Sequence, residues 1–202
     1  MPDLSAKSRA SENEYFLRKE KELTERLKAK AAAEARRKGL AEAIGLENDQ
    51  ILDVLHDMGF DRSTVVILFL FPLLQVAWTD GEVSDEEREL ILIAAQTHGI
   101  NEGDAAHEKL VGYLKNRPEP ILFERALTVI KDLLNFQTAA SKETTSTKLM
   151  DACERIAAAS GGFLGVGSKI SAKERQVLRR VASAIGGKHS AVAAKLETAL
   201  NS

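Results

Sequence analysis

The sequence predicts an all-α protein, a compact bundle of helices preceded by one long charged helix. Aromatic residues make up only 5% of the chain, alanine and leucine are abundant, and apolar residues recur every three or four positions instead of alternating. A length of 202 residues is enough for one sizeable core with an appendage. We therefore divide the chain into a disordered start at 1–10, a long charged helix at 11–45 and a helical domain at 46–202.

The composition excludes several broad classes. With 28 basic and 30 acidic residues the net charge is −2, which argues against a general nucleic-acid partner. The one cysteine, Cys153, excludes a disulfide framework and is expected to be a buried, inert thiol. The first 15 residues have no hydrophobic signal region, so a cytoplasmic location is expected.

The predicted N-terminal helix carries a thin apolar stripe. Ser11 and Glu14 match the S-x-x-E pattern of a helix start, and no Gly or Pro follows before Gly39. Spacings of seven, four, four and four place the apolar residues on one face: Phe16, Leu23, Leu27, Ala31 and Ala35. Because this stripe is too thin to fold alone, the helix should lie on the main body or pair with another helix as a coiled coil. The expected partner is another protein or a second copy of the chain.

The most hydrophobic stretch, Val65–Trp78, predicts the central helix of the body. Only Pro72 and Gln75 interrupt it, so all its faces are apolar and it must be buried. It is too short for a membrane span, which needs about 20 apolar residues, and no transmembrane segment is expected. We expect Asp61 to cap its start and Pro72 to bend it midway.

The remaining apolar patterns predict the helices around this core. Helices are expected at 48–58, 84–98 and 121–136, and another, capped by Asn101 or Asp104, is expected to run to Asn116. Leu149 to Ile156 mark a helix that ends near Ser160. The polar stretch 141–148 is interpreted as a connector and helix start. A glycine-rich loop at 161–169, which only loosely resembles a phosphate-binding loop, precedes a helix at 171–185, and Val192, Leu196 and Leu200 indicate a last one.

An acidic turn follows the central helix. Gly81 permits a sharp reversal, and Ser84 with Glu87 forms an S-x-x-E capping box, so a well-capped helix start is the favoured interpretation. The turn also mimics half of an EF-hand loop. Val76 and Trp78 stand where calcium needs oxygen ligands, which excludes a standard EF-hand. A looser carboxylate site built from Asp80, Glu82 and Glu87 stays open.

Two segments match when shifted by 87 positions. Five residues are identical in the two segments. The matched pairs are Ser84 and Ser171, Glu87 and Glu174, Arg88 and Arg175, Ala95 and Ala182, and Gly99 and Gly186. Helix capping alone explains much of this match, but not the shared arginine. We interpret the pattern as two related helix pairs that face each other about a pseudo-twofold axis.

The segment VAWTDGEVSDEERELI and its second copy, ASGG followed by KISAKERQVLRRVA, resemble the TerB-like family, which is associated with tellurite resistance. The resemblance covers about Asn48 to Leu200 and implies a bundle of two related halves with no known catalytic activity. It also implies a role in metal or oxyanion stress and in membrane-linked complexes. It further implies that a divalent cation binds at Asp80, Glu87 and Glu174. Ser160 stands where a second Asp is expected, which weakens the second half of such a site.

These observations lead to two hypotheses of function. The first is a non-enzymatic, TerB-like stress-response module that binds calcium or zinc at a site made by Asp80, Glu82, Glu87 and Glu174, with a peripheral membrane complex as one setting. The second is an interaction protein that acts through its N-terminal helix. Over about twenty residues, ENEYFLRKEKELTERLK resembles the helix of mitochondrial ATP synthase inhibitor proteins. No set of catalytic residues can be assembled from the sequence.

Overall fold

Helices supply all the regular secondary structure in the part of the chain that the structure describes. This is a computed structural model, which describes the backbone of residues 4–160 and 170–186 and the side chains of residues 13–159 and 170–185. Within those ranges the chain forms eight α-helices: α1 (Leu4–Ile44), α2 (Asp49–Asp57), α3 (Phe71–Ala77), α4 (Asp85–Thr97), α5 (Ala105–Lys115), α6 (Pro120–Asn135), α7 (Ala139–Ser160) and α8 (Ala172–Gly186). The all-α prediction is confirmed.

Helix α1 is longer than predicted. It begins at Leu4, so the assignment of residues 4–10 to a disordered start is wrong, and the Ser11–Glu14 pattern lies inside the helix instead of at its start. No Gly or Pro interrupts the chain between these residues and Lys38, which explains why the helix continues. Its C-terminal turns rest on the body, where Leu40 is 1% exposed and Ile44 is partly buried.

The central apolar stretch forms a buried helical rod in three parts. A 3₁₀ segment (Val65–Leu70) leads into α3, which leads into a second, short 3₁₀ segment (Trp78–Asp80). Asp61 caps the start as predicted, because its Oδ1 accepts hydrogen bonds from the backbone N–H of Ser63 and of Thr64, both at 2.9 Å. Among the described residues, no helix is long and apolar enough to cross a membrane.

Pro72 does not bend a continuous α-helix, contrary to the prediction. It lies in the first turn of α3, where the 3₁₀ segment gives way to the α-helix. A proline in a helical first turn costs no hydrogen bond, since its position has no N–H partner there. The change of helix type at Phe71 therefore places the proline at the start of an α-helix instead of inside one.

The other helices enclose this rod. Helix α3 packs against α6, α7 and α8, while α7 packs against α4 and α8. Phe71 lies at the aromatic centre and makes edge contacts with Phe60, Tyr113 and Phe123, at ring-centroid distances of 5.9, 5.4 and 5.9 Å. Such edge-to-face pairs contribute about 0.5–1.5 kcal/mol each beyond their buried area.

The predicted inward face of α6 is confirmed, and one connector is not. Five residues chosen from the sequence are buried: Phe123, Ala126, Leu127, Ile130 and Leu134. Residues 141–148 were interpreted as a connector and helix start; they are helical but contain no connector, because α7 already begins at Ala139. The predicted glycine-rich loop at 161–169 and the predicted last helix around Val192, Leu196 and Leu200 lie outside the described residues.

Candidate functional site

The charged side chains of the acidic turn between α3 and α4 differ in their burial. Gly81 has φ of +99°, the left-handed conformation that reverses the chain, so its predicted role is confirmed. The side chains of Asp80 and Glu82 are exposed on either side of it. Glu87, one turn into α4, is only 2% exposed. Of the three carboxylates predicted on this turn, one is therefore buried.

The Ser84–Glu87 capping box holds that buried carboxylate. The Glu87 Oε2 atom accepts hydrogen bonds from the Ser84 N–H at 2.8 Å and the Ser84 hydroxyl at 3.0 Å, and Ser84 Oγ accepts from the Glu87 N–H at 3.2 Å. The second carboxylate oxygen, Oε1, is buried and has no hydrogen-bond partner among the residues whose side chains the structure describes. Since a buried polar atom without a partner is costly, this oxygen is a place where a ligand or proton would be stabilised.

A second capping box opens α8 in the same way. Glu174 Oε2 accepts a hydrogen bond from the Ser171 N–H at 2.7 Å, and Ser171 Oγ accepts from the Glu174 N–H at 3.2 Å. Glu174 is also 2% exposed. The two equivalent glutamates of the matched segments therefore have the same local structure and the same burial.

The two boxes influence each other electrostatically. Helix α8 packs against α3 and against the 3₁₀ segment Trp78–Asp80, which brings the two boxes into the same region. Burial raises the pKa of Glu87 above its ordinary value of 4.5, and the negative charges of Glu174 and Asp80 raise it further. Asp80, Glu87 and Glu174 are thus brought together, whereas Glu82 lies exposed on the turn.

This arrangement is incomplete as a metal site. In the described part of the chain, no three His, Cys, Asp or Glu side chains are placed to hold a metal ion together. Calcium takes six to eight oxygen ligands and zinc four ligands, so two buried carboxylates supply only part of either set. A cation bound here would need backbone carbonyls or water for its remaining ligands.

A second candidate site lies on α1, far along the chain from the acidic turn. Every predicted stripe residue is exposed: Phe16, Leu23, Leu27, Ala31 and Ala35. The exposed fractions of Phe16, Leu23 and Leu27 are 61%, 59% and 60%. The expectation that this stripe lies on the main body is therefore wrong, and the other expectation, that it pairs with a further helix, stays a prediction. We call these five residues the α1 stripe.

Polar contacts fix the base of α1 to the body. The Arg37 guanidinium lies 2.9 Å from a carboxylate oxygen of Asp49 and 3.3 Å from one of Asp53, both on α2. Arg62 pairs with Glu42 at 2.8 Å. Together with the buried Leu40, these contacts hold the last two turns of α1 while the residues before Arg37 extend away from the body.

No protein-family model, curated protein or solved structure matches the chain. The two candidate sites are therefore judged on their own geometry.

Sequence reasoning missed several residues that join elements far apart in the chain. The Trp78 indole N–H donates to the Tyr113 carbonyl at 2.9 Å, and Arg88 donates to the Leu114 carbonyl at 3.4 Å. Lys109 lies 4.8 Å from the centre of the Phe60 ring and donates to the Gly59 carbonyl. Helix capping did not explain why the repeat contains an arginine at position 88. The hydrogen bond from Arg88 to the end of α5 gives this side chain a structural role. No sequence signal pointed to the carbonyl partners, because any residue has one.

Proposed function

We propose that the chain is an interaction protein whose helical body holds out α1 as its binding element. One observation carries the proposal: five bulky side chains of α1 are exposed to between 49% and 67%, namely Tyr15, Phe16, Leu17, Leu23 and Leu27. Monomeric proteins rarely expose apolar residues in such a concentration unless the surface binds something. The proposal assigns no catalytic role to the chain.

The energetics favour a helical partner. Full burial of a Leu or Phe side chain contributes roughly 1.5–3 kcal/mol, so covering Phe16, Leu23 and Leu27 would be enough for a specific complex. An isolated helix gains little stability in water from its own sequence. Packing of the α1 stripe against another helix would stabilise both the complex and α1 itself.

The anchoring of α1 suits this role. Leu40 is buried in the core and Ile44 is partly buried against it, so packing fixes the base of the helix on the body. The exposed ion pairs of Arg37 and Arg62 add only a few tenths of a kcal/mol each. Packing of this kind restricts the direction in which α1 leaves the body. A fixed direction lowers the entropy cost of binding compared with a flexible tail.

The experiment is affinity capture with the tagged full chain from an extract that also contains the untagged chain, so that a second copy counts as a captured protein. Three forms are compared: the unchanged chain, a stripe variant with Leu23→Glu and Leu27→Glu, and a control variant with Ala29→Glu and Ala32→Glu on the opposite side of α1. We expect the control to retain the proteins captured by the unchanged chain and the stripe variant to lose them. Equal capture by all three forms would contradict the proposal.

A second candidate function is binding of a divalent cation, favoured by the unpartnered Oε1 of buried Glu87. Glu174 adds a second buried carboxylate, and Asp80 adds negative charge, so the region attracts cations. The TerB resemblance implies the same site and a link to metal or oxyanion stress, including membrane-associated complexes. The resemblance also implies a bundle of two related halves. Two observations support such a bundle: the two matched capping boxes and the packing of α3 on α7 and α8.

Calorimetry with calcium and, separately, zinc tests this second function. We expect binding by the unchanged chain, loss in Glu87→Gln, weakening in Asp80→Asn, and no change in Glu82→Gln, whose side chain is exposed on the same turn. The single tryptophan, Trp78, lies next to the turn and offers a fluorescence readout. Absence of heat with both ions, or equal binding by Glu87→Gln, would remove the cation from the proposal.

A further inference from the structure

We infer that the partner of the α1 stripe is a second copy of this chain, paired antiparallel along α1. This inference rests on the proposed function, because it names what the exposed helix binds. It draws on three features of α1: the exposure of its stripe, the distribution of charge along it and the order of large and small residues within the stripe.

Charge is distributed unevenly along α1. Within the stretch Phe16 to Ala35, residues 16–25 contain three acidic and three basic side chains, whereas residues 26–35 contain three basic and one acidic. A parallel pair would place the two basic halves side by side, which repels. An antiparallel pair separates the two basic halves and places each beside the half of the other copy that has no net charge. Charge patterns of this kind set partner choice and orientation in paired helices.

The order of side-chain sizes along the stripe fits the same orientation. If the pair is centred on Glu25, then Leu23 of one copy lies level with Leu27 of the other. Phe16 of one copy then lies level with Glu34 of the other, next to Ala31 and Ala35, whose small side chains leave room for a ring beside the glutamate. The paired length from Phe16 to Ala35 is 20 residues, about 30 Å of helix.

The ion pairs seen on α1 are compatible with this pairing. Arg26 contacts Glu22 at 2.7 Å and Lys19 contacts Glu22 at 3.5 Å, and all three side chains are substantially exposed. Exposed pairs of this type contribute only a few tenths of a kcal/mol. Replacing these ion pairs within α1 by equivalent ion pairs between the two copies therefore costs little free energy.

The inference is tested on the full chain by sedimentation equilibrium over a range of concentrations in the micromolar region. We expect a monomer–dimer equilibrium. Leu23→Glu with Leu27→Glu should weaken dimerisation by about a hundredfold or more, as expected for the loss of two buried leucines. Ala29→Glu with Ala32→Glu adds the same charge on the opposite side and should leave it unchanged. Unchanged circular dichroism at the helical minimum shows that each variant folds.

Disulfide trapping decides the orientation. Glu20 lies on the stripe face between Phe16 and Leu23, Lys30 lies at the edge of the stripe, and the two positions lie level with each other in an antiparallel pair centred on Glu25. We expect a disulfide-linked dimer when Glu20→Cys and Lys30→Cys chains are mixed and oxidised, and little linkage of either alone. The native Cys153 is fully buried, so it leaves the trapping unaffected.

Each remaining outcome overturns the inference. Linkage of Glu20→Cys to itself would show a parallel pair, and a dimer without any of these disulfides would show a different register or surface. A chain that stays monomeric overturns self-association. If that monomer still loses captured proteins in the stripe variant, then the proposed function stands and only the identity of the partner is wrong. If it loses none, both are wrong.

Discussion

Glu87 and Glu174 are two buried carboxylates at equivalent positions of two capping boxes, and the charge of Glu174 adds to the burial that raises the pKa of Glu87. Each glutamate stabilises the first turn of its own helix through the backbone N–H three residues before it. Burial disfavours the negative charge of Glu87. The local gain from capping is therefore partly offset by the energy of holding two like charges in one region.

Replacement of Glu87 by Gln should stabilise the protein at neutral pH. Gln also serves in a capping box but carries no charge. Because the pKa of Glu87 is higher in the folded state than its ordinary 4.5, the folded protein binds more protons than the unfolded chain in the interval between the two pKa values. The stabilising contribution of protonated Glu87 is fully present below pH 4.5 and is lost as the pH rises through the folded pKa.

Urea denaturation of both proteins from pH 4 to pH 8, with a chelator present, checks this prediction. The unchanged chain should lose stability relative to Glu87→Gln as the pH rises through this range. Glu82→Gln, at the exposed position of the same turn, is the control and should follow the unchanged chain. A pH-independent difference between the Glu87→Gln variant and the unchanged chain would contradict the raised pKa.

Removal of either capping serine should destabilise the body by about 1 kcal/mol. Ser84→Ala and Ser171→Ala each delete the hydroxyl that accepts the N–H of the glutamate three residues later. Because the two boxes have the same geometry, we expect similar losses, measured as shifts in the urea midpoint at constant slope. A negligible effect of Ser171→Ala with a full effect of Ser84→Ala would show that the second box contributes little.

The sequence predicted these boxes because capping depends on residues only three positions apart. Ser84 and Glu87 could be assigned before any coordinates, as could the burial of Val65 to Trp78 and the inward face of α6. Contacts between distant elements could not be assigned in this way. The proximity of Glu174 to Glu87 follows from how α8 packs on α3. In the sequence, only the repeat and the family resemblance indicated that these two residues are close.

The wrong predictions also have physical causes. Pro72 was expected to kink a helix, but sequence alone does not reveal that the helix changes from 3₁₀ to α at the preceding residue. The polar residues 141–148 resemble a connector in composition. They form part of α7, where most of them are exposed or half-buried, while Ser146 is buried and its hydroxyl donates to the Ile185 carbonyl at 3.1 Å.

The cap at the start of the central rod should make stability depend on acid pH. The Asp61 carboxylate accepts hydrogen bonds from Ser63 and Thr64, and the Ser63 hydroxyl is the largest cause of its lowered pKa. A lowered folded pKa means that the contribution is present above the ordinary value of 3.8 and is lost as the pH falls through the folded pKa. Asp61→Asn keeps an acceptor oxygen but removes the charge.

We therefore expect Asp61→Asn to cost about 1 kcal/mol at pH 7, within the range measured for helix caps. The difference from the unchanged chain should shrink as the pH falls below the ordinary value of 3.8 and through the lower folded pKa of Asp61. Paired urea denaturation curves at pH 7 and pH 3 provide the measurement. An equal difference at both values would show that the shape of the side chain matters and its charge does not.

The place where α1 joins the body can be located by a matched pair of leucine substitutions. Leu40 is 1% exposed and belongs to the main core, whereas Leu17 is 67% exposed on the same helix. Leu40→Ala should cost about 2–4 kcal/mol of unfolding free energy because it leaves a cavity in the core. Leu17→Ala, which removes the same atoms from an exposed position off the α1 stripe, should change it by less than about 0.5 kcal/mol.

Equilibrium denaturation followed by the fluorescence of Trp78 reports on the body alone, because this is the only tryptophan and it is 7% exposed. If Leu40→Ala lowers the midpoint of this signal, then the last turns of α1 unfold together with the body. A deletion that ends at residue 45, the boundary chosen from the sequence, would then remove part of the core, and one that ends at residue 36 would not. Equal, small effects of both substitutions would instead mean that the body is stable without the base of α1.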